Sequence, residues 1–537
     1  MSEETFDYIV VGAGSAGCVL ANRLTENSSS TVLVVEAGGS DRHLWVRVPL
    51  GVGKLLGNPE VLWQAETEPE RGLLGNRISW PTGRLLGGSS SVNGMLAIRG
   101  NPAKYDEWQA AGCPGWGYEQ LLPYFKRLED CRFGDPQYRG RDGPVSITEP
   151  DDDVLGVAFL QACETAGFPR ASDYNGAVPE GAGPFQMSTR NGLRCSTAVA
   201  YLRPALGRPN LKVLTNVIVE RVNFVESRAV GVRYRIDGET RTAQARREVL
   251  LSAGAIRSPQ LLELSGIGRS DVLQQHGISV LRHLPGVGEN LQDHLMVRVC
   301  YECKEPVTVY DLLHSRLRVA RELFKYAVTR KGIFATSSFP AIAFLRSNPA
   351  APLPNIRIQL GLTSGARRLS TSNDSGLDPH SGFHLGGYPI YPQSRGALHI
   401  RSPNVTDPPK IVASYLTREE DCIVTVETLK ILRRIAEQPS LARHIVREVR
   451  PGAEIADDEA LLEYARRNGD TCWHPCGTCR MGTGEHAVVD PQLRVHGVQG
   501  LRVIDTSVFP FLVASNTNIP TIMLGERAAD LIRGQGH

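Results

Sequence analysis

The sequence predicts an α/β protein that has a Rossmann-like first domain and an α+β second domain. The prediction rests on three observations. An apolar strand pattern at residues 6–11 runs into a glycine-rich turn that opens a helical pattern. Similar strand and helix patterns return at residues 248–264 and 501–533, far along the chain. The chain has 537 residues, and domains usually take roughly 100–200 residues, so more than one domain is expected.

The predicted elements follow in order along the chain. Residues 6–11 form a buried strand, a helix runs to about residue 26, and residues 31–36 form the second strand of a βαβ unit. Residues 38–100 are rich in Gly, Pro, Ser and Trp, and loops that long usually serve a function. Helices are predicted at 106–129, 256–264, 310–323, 416–436 and 521–533, and strands at 211–222, 233–249, 248–253, 356–361, 397–402 and 501–504.

The first domain is predicted to combine three separated pieces of chain, residues 1–155, 196–298 and 468–537. Its strands are short apolar runs, which is typical of a parallel sheet covered on both faces. Residues 156–195 and 299–467 are predicted to form the second domain. We expect an antiparallel sheet with helices there.

The composition argues against several classes of partner. The formal net charge is +2, so no excess of positive charge indicates nucleic acid. No apolar run approaches the roughly 20 residues of a membrane-spanning helix, and peripheral membrane association stays open. The 11 cysteines are an odd number and no signal peptide precedes the first strand, so a reducing cytoplasm is expected. Cys472, Cys476 and Cys479 are closely spaced, but a structural zinc takes four ligands, so no metal is expected.

The turn after the first strand predicts a dinucleotide site. Gly12 permits a tight turn, Gly14 lets the backbone approach a pyrophosphate, and Gly17 allows close packing of helix on strand. Glu36 ends the second strand, where its carboxylate can accept hydrogen bonds from ribose hydroxyls. The turn alone is compatible with NAD or FAD. The predicted site also includes Ser15, Ala16 and Ala37.

Four later segments resemble the motifs of the glucose–methanol–choline (GMC) oxidoreductases. They are residues 83–95 (GRLLGGSSSVNGM), 254–268 (with GAIRSPQLL and SGIG), 474–482 (HPCGTCRMG) and 516–521 (NTNIPT). The segments occur in the family's order, and the resemblance extends from residue 6 to about residue 533. It implies a Rossmann-like FAD-binding domain beneath a substrate-binding domain, and FAD as the cofactor.

The resemblance also implies which residues contact FAD. Glu36 would hold the adenosine ribose, Val219 would lie near the adenine, and Asp505 near the ribityl–pyrophosphate region. Some members attach FAD covalently through a histidine directly before the motif asparagine. Val92 stands there and cannot form that bond, so we predict non-covalent FAD. Further predicted contacts are Arg84, Gly87, Gly88, Ser91, Asn93, Gly94, Met95, Leu96, Ala253, Asn518, Pro520 and Thr521.

The chemistry of the family is the oxidation of an alcohol, in which the hydroxyl loses a proton and a hydride passes to flavin N5. The pKa values of alcohols lie far above neutrality, so a base must act as the C–H bond breaks. His474 matches the family's base, and an unshifted imidazole has a pKa of about 6.5. Asn518 matches a position that is histidine or asparagine in relatives, and we expect it to orient the alcohol oxygen. Pro520 is predicted at the first position of the closing helix.

Choline is one candidate substrate, because choline dehydrogenases share this pattern. Its trimethylammonium group needs a carboxylate or an aromatic cage. In choline-specific members a glutamate precedes a strand of the substrate domain, and Pro340 takes that place here. With Phe339 and Trp473 as further pocket residues, we predict oxidation of an uncharged primary alcohol, aliphatic or aromatic, to the aldehyde. Choline dehydrogenase and a hydroxynitrile lyase on the same fold are the alternatives, and the electron acceptor is oxygen, a quinone or another carrier.

Overall fold

Two large sheets organise the protein. The computed structural model describes residues 4–365, 376–513 and 515–534. One sheet is mainly parallel and contains the strand that leads into the glycine-rich turn, and the other sheet is antiparallel. The α/β class that the sequence predicts is confirmed.

The first sheet has the strand order of a dinucleotide-binding fold. Its strand Glu4–Val11 pairs in parallel on both sides, so that Val35 and Leu251 lie level with its last residue. Because parallel strands share a direction, their carboxyl ends meet at one edge of the sheet, where the glycine-rich turn begins. Across the sheet the order is Leu211–Leu214, Val32–Val35, Glu4–Val11, Glu239–Leu251, Arg228–Ile236 and Ile218–Val225, with Leu501–Val503 also paired to Glu239–Leu251.

Two helices that are distant in the sequence pack together beside the turn. Helix Ser15–Leu24 follows the turn, and helix Asn518–Arg533 closes the described chain. A Cβ at Gly525 would lie 3.0 Å from the Cβ of Val19, so a glycine is needed at this crossing. The packing brings the last helix to the first strand, although about 500 residues separate them.

The second sheet has one apolar face, and its opposite face, which we call the polar face, carries polar side chains beside the apolar Met296, Ile342 and Phe344. Side chains alternate between the two faces of a strand, and Val297, Ile358 and Leu385 share an apolar cluster with helices Val154–Thr165 and Glu419–Ala436. The intervening residues therefore point to the opposite side of the sheet. Across the sheet the order is Ile445–Arg450, Leu295–Cys303, Gly382–Pro389, Ile356–Gly361, Ala341–Leu345 and Gly181–Pro184, with Asp470–Thr471 also paired to Leu295–Cys303.

Smaller elements complete the fold. The other helices are Leu44–Arg47, Val52–Leu55, Pro102–Ala110, Tyr118–Leu128, Arg203–Ala205, Gly254–Leu264, Ser270–Gln275, Val309–Leu313, Arg316–Thr329, Pro439–Ala442 and Asp458–Asn468. Short strands pair as Leu62–Trp63 with Thr82–Gly83, Ile267–Gly268 with Arg282–His283, and Ala397–His399 with Lys410–Val412. A four-stranded sheet contains Glu129–Cys131, Val145–Thr148, Met187–Arg190 and Leu193–Arg194.

Several elements differ from their predicted bounds. The helix predicted at 106–129 is two helices, because Gly112 and Gly115 adopt positive φ between them. The helix predicted at 310–323 is also two, Val309–Leu313 and Arg316–Thr329. The last helix begins at Asn518 and not at residue 521, so Pro520 is its third residue, not its first.

The predicted division into domains stays a prediction. The strand Leu295–Cys303 crosses the predicted boundary between residues 298 and 299, and it lies wholly in the second sheet. Within the described ranges, none of the helices combines the length and the apolar character that crossing a bilayer requires.

Candidate active site

One cavity of about 800 Å³ lies between the edge of the first sheet and the polar face of the second. Most of the residues that the sequence predicts as site residues line it, including His474 and Val92. The others that line it are Gly12, Gly14, Ser15, Ala16, Glu36, Ala37, Gly88, Asn93, Gly94, Met95, Leu96, Val219, Ala253, Phe339, Trp473, Asp505, Asn518 and Thr521.

Six predicted site residues do not line the cavity. Gly17 packs beneath the turn, where a Cβ would lie 1.9 Å from the carbonyl oxygen of Gly12. Arg84 stacks on the indole of Trp63 at 4.6 Å, and it is Trp63 that lines the cavity. The remaining four are Gly87, Ser91, Pro340 and Pro520.

The nucleotide end, which we define as the part of the cavity lined by Gly12, Gly14, Glu36 and Asp505, has the shape of a backbone cradle. A Cβ at Gly12 would lie 2.6 Å from the carbonyl oxygen of Ser252. Gly14 is the N-cap of helix Ser15–Leu24, and no side chain caps that terminus. The first-turn N–H groups therefore stay available for phosphate oxygens. The residues present fit the pyrophosphate of FAD.

Two carboxylates at the nucleotide end hold the backbone in place. Glu36 accepts hydrogen bonds from the N–H groups of Ala13 and Gly38, each at 2.8 Å. Burial raises the pKa of Glu36, while these backbone N–H groups oppose the shift. Each carboxylate oxygen has a second lone pair, which can accept from a ribose hydroxyl. Asp505 accepts from the N–H of Gly254 at 2.9 Å and so fixes the start of helix Gly254–Leu264.

The substrate end, which we define as the part lined by His474, Asn516, Phe339 and the second sheet, contains a buried imidazole. His474 is 6% exposed. Its Nδ1 lies 3.0 Å from Nδ1 of His294, and Nε2 of His294 lies 3.1 Å from the carbonyl oxygen of Ile390. A carbonyl oxygen only accepts, so His294 Nε2 carries a hydrogen, and a neutral His294 would accept at Nδ1 from His474.

The other nitrogen of His474 meets a second set of donors. Asn516 Nδ2 donates to His474 Nε2 at 2.9 Å, and Ser515 Oγ donates to Asn516 Oδ1 at 3.0 Å. Tyr388 and Ser515 share a hydrogen bond of 2.9 Å between their hydroxyl oxygens. Arg357 Nη1 donates to the Tyr388 hydroxyl at 2.9 Å. A guanidinium only donates, so the Tyr388 hydroxyl oxygen accepts from Arg357.

The neighbours of the two ring nitrogens are compatible with one tautomer of His474. The amide nitrogen of Asn516 only donates, so Nε2 of His474 carries a lone pair, and the hydrogen of a neutral His474 is then on Nδ1, which faces His294. His474 and Asn516 both line the cavity. The arrangement therefore presents a basic nitrogen beside an amide donor at the cavity wall.

The loop that holds His474 is tied down by a buried carboxylate. Asp293 accepts from the backbone N–H of His474 at 2.7 Å, from Thr471 Oγ1 at 2.5 Å and from the Tyr415 hydroxyl. Burial raises the pKa of Asp293 to about 6, although these donors favour its ionised form. Trp473, which lies between Thr471 and His474 in the loop, adopts a φ of 58°. Asp293 thus positions the base, and the sequence analysis did not predict it. The signal in the sequence is an aspartate next to a histidine, Asp293 and His294, directly before the strand Leu295–Cys303.

Asn516, not Asn518, is the asparagine that the structure brings to His474. Asn518 is the first residue of the last helix, and its Oδ1 accepts from Ser15 Oγ at 2.7 Å, at the nucleotide end. Asn516 precedes that helix by two residues. The orienting role that the sequence predicts for Asn518 is therefore transferred to Asn516 in our proposal, and Asn518 keeps only its predicted place beside the cofactor.

Pro340 is a second correction. A Cβ at Gly156 would lie 2.8 Å from the Pro340 Cβ, so Pro340 faces helix Val154–Thr165 and not the cavity. Phe339 lines the cavity and stacks on Phe185 with ring centroids 5.6 Å apart. The sequence reading missed four polar residues that line the cavity from the second sheet: Arg298, Arg357, Gln359 and His384.

The cysteine cluster consists of buried thiols. Cys472, Cys476 and Cys479 form no disulfide bond with a described residue, and burial raises the pKa of Cys476 and of Cys479. Across residues 4–365, 376–513 and 515–534, no three His, Cys, Asp or Glu side chains are grouped as metal ligands would be.

Known proteins match the chain along almost its whole length. Family models of the GMC oxidoreductases match residues 6–296 and 392–525. An oxygen-dependent choline dehydrogenase of Vibrio vulnificus is 42% identical, with 99% of this chain and 94% of the relative covered. The mitochondrial choline dehydrogenase of Homo sapiens is 41% identical, with 99% and 91% covered. Pyridoxine 4-oxidase from Mesorbium loti has a similar structure, with a TM-score of 0.89 and 31% identity over 99% of this chain and 100% of that one. The chain therefore belongs to the GMC oxidoreductases and is an FAD-dependent oxidoreductase.

Proposed function

We propose that the protein oxidises a primary alcohol to an aldehyde, with His474 as the base. The observation that supports this most directly is the contact of the Asn516 amide nitrogen with His474 Nε2, which indicates a lone pair on Nε2 at the cavity wall. FAD, when bound, supplies the acceptor for the two electrons that leave the alcohol carbon.

The alcohol oxygen fits between His474 and Asn516. In the absence of substrate, Asn516 Nδ2 donates to His474 Nε2 at 2.9 Å. An entering hydroxyl donates to Nε2 in place of the amide, and the amide N–H then donates to the alcohol oxygen. His474 accepts the hydroxyl proton as the C–H bond breaks. The Asn516 amide stabilises the negative charge that develops on the oxygen.

FAD is proposed to bind without a covalent link. Val92 lines the cavity at the position where a tethering histidine stands in some members. A hydrocarbon side chain cannot form that bond. Acid precipitation of the protein is expected to release the flavin into the supernatant, and flavin that stays with the precipitate would contradict this.

Choline is the second candidate substrate, and the relatives support it over an uncharged alcohol. Two relatives that are 41% and 42% identical over almost the whole chain are named as choline dehydrogenases. Since one of them is named as oxygen-dependent, we propose oxygen as the electron acceptor in preference to a quinone.

An anaerobic titration tests the proposed function. The purified yellow protein is mixed with a panel of alcohols that includes choline, and the absorbance of oxidised flavin is followed. Bleaching by an alcohol, with aldehyde formed in equal amount, is the expected result. A hydroxynitrile lyase would stay yellow with every alcohol and release cyanide from a cyanohydrin. Admission of oxygen after bleaching is expected to restore the colour.

A further inference from the structure

The polar face of the second sheet concentrates positive charge at the substrate end. Arg298 and Gln359 both lie level with Gly386, on the two strands that flank it. A Cβ at Gly386 would lie 3.4 Å from the Cγ of Arg298 and 3.4 Å from the Cδ2 of His384. The glycine leaves space around which these side chains gather. We call Arg298, Arg357, Gln359 and His384, which all line the cavity, the basic face.

The two arginines of the basic face are buried without an acidic partner among the described residues. Arg298 is 7% exposed and Arg357 is 2% exposed. Arg357 donates to the Tyr388 hydroxyl and, at 2.6 Å, to Gln359 Oε1, and its Nε has no partner among the described residues. The guanidinium of Arg298 forms no hydrogen bond or ion pair with a described residue. Buried charges in proteins are normally paired, and these two guanidinium groups have no counter-charge among the described residues.

The carboxylates of the cavity do not supply that counter-charge. Among the described residues that line the cavity, the acidic ones are Glu36 and Asp505. Both lie at the nucleotide end and bind backbone N–H groups there. Among the described residues, a trimethylammonium group at the substrate end would meet Arg298 and Arg357 and no carboxylate, whereas its recognition requires a carboxylate or an aromatic cage.

An apolar strip lies beside the basic face. Phe339 packs edge-on to the ring of His384, with centroids 6.3 Å apart, and it also stacks on Phe185. The substrate end thus offers three surfaces: the pair His474 and Asn516 for a hydroxyl, an apolar wall, and guanidinium groups.

We propose that the substrate is a primary alcohol that carries an anionic oxyacid group, a carboxylate or a sulfonate, bound by Arg298 and Arg357. The inference rests on the proposed alcohol oxidation and names the substrate class. A guanidinium matches the planar pair of oxygens of such a group, and its hydrogen bonds to an anion are stronger than those to a neutral group. Arg298 is the specificity-determining residue, because no described side chain competes for its donors.

A matched series of alcohols tests the charge preference. Choline, 3,3-dimethylbutan-1-ol and 2-hydroxyethanesulfonate share a hydroxyethyl unit and a tetrahedral head group that is positive, neutral or negative. An aromatic pair, 4-(hydroxymethyl)benzoate and benzyl alcohol, extends the comparison to a larger substrate. Steady-state turnover in the presence of oxygen gives kcat and KM for each alcohol, and anaerobic mixing shows whether the alcohol bleaches the flavin.

We expect kcat/KM for the anionic member to exceed that of its neutral and cationic counterparts by at least about tenfold in one of the two sets. A higher kcat/KM for the neutral or cationic member in both sets overturns the inference, while alcohol oxidation still stands. A protein that keeps its flavin and is bleached by none of these alcohols contradicts the proposed function as well.

The variant Arg298→Gln tests the assignment of the anion site. We expect KM for the best anionic alcohol to rise about 10- to 100-fold, with kcat, flavin content and the KM of neutral alcohols within about twofold. Arg241→Gln, an exposed arginine on a hairpin of the first sheet, is the matched control and is expected to change none of these. An unchanged KM for the anionic alcohol in Arg298→Gln overturns the assignment.

Discussion

The two ends of the cavity recognise their ligands by different means. At the nucleotide end, glycine backbone, uncapped N–H groups and two carboxylates that hold the backbone form the wall. At the substrate end, the wall is made of side chains: His474 and Asn516 on loops, and Arg298 and Arg357 on strands. A backbone wall suits a cofactor that is constant across a family, whereas side chains can change from member to member without disturbing the turn. Substrate specificity is therefore expected to reside in the second sheet.

Alanine substitution of the two asparagines is expected to give the largest difference between the two ends of the cavity. Asn516→Ala removes the donor to the alcohol oxygen, so the rate of flavin reduction is expected to fall about 100-fold with flavin content unchanged. Asn518→Ala removes the hydrogen bond to Ser15, so flavin retention is expected to weaken while the reduction rate of the loaded protein changes little. Stopped-flow reduction and the flavin-to-protein absorbance ratio report the two effects. If Asn518→Ala instead slowed flavin reduction and Asn516→Ala weakened flavin retention, the orienting role would belong to Asn518.

A glycine substitution is expected to affect the nucleotide end alone. Gly88 adopts a φ of +52°, and a Cβ there would lie 2.8 Å from the Cα of Gly14. Gly88→Ala therefore displaces the turn, and we expect the flavin-to-protein ratio after dialysis to fall at least about tenfold. Gly484→Ala is the matched control, since a Cβ there would meet no atom within 4 Å. An undiminished flavin ratio in Gly88→Ala would show that the turn does not hold the cofactor.

A smaller effect concerns the pH dependence of stability at the substrate end. The pKa of Asp293 is raised to about 6, so the folded protein binds its proton more tightly than the unfolded chain does. The stability gained from this proton is fully present below about pH 4 and is lost as the pH rises through 6, by up to about 3 kcal/mol. Asp293→Asn does not titrate in this range. We therefore expect the Tm of wild type minus that of Asp293→Asn to fall between pH 4 and pH 7.

The control for this measurement is Asp142→Asn, whose side chain is 91% exposed. Its Tm difference from the wild type is expected to stay constant over the same range. A constant difference for Asp293→Asn too would mean that Asp293 is ionised throughout.

The parts of the molecule that could be predicted from the sequence are those with a local signal. The turn at Gly12 to Gly17 is one continuous segment, and its strand and helix have short-range patterns. The four family motifs indicated the GMC oxidoreductases and FAD, and both predictions are confirmed. His474 lies inside one of these motifs, and the structure brings it to the cavity.

The parts that could not be predicted depend on register and on where a helix starts. A helix that begins at residue 521 would leave Asn516 and Asn518 both in the preceding loop, and only the observed start at Asn518 turns one of them towards Ser15. The basic face combines residues from separate strands, and the sequence does not reveal that Arg298 and Gln359 both lie level with Gly386. The Gly-rich strand Gly382–Pro389 also lacks the usual strand pattern.

The central claim, that His474 is the base of an alcohol oxidation, is tested most directly by the rate of anaerobic flavin reduction in His474→Ala. The best alcohol of the panel is mixed with the variant and with His486→Ala, a variant of an exposed histidine. We predict a rate at least about 100-fold below that of the wild type for His474→Ala, with flavin content retained, and a wild-type rate for His486→Ala. A near-normal rate of flavin reduction in His474→Ala would contradict the account.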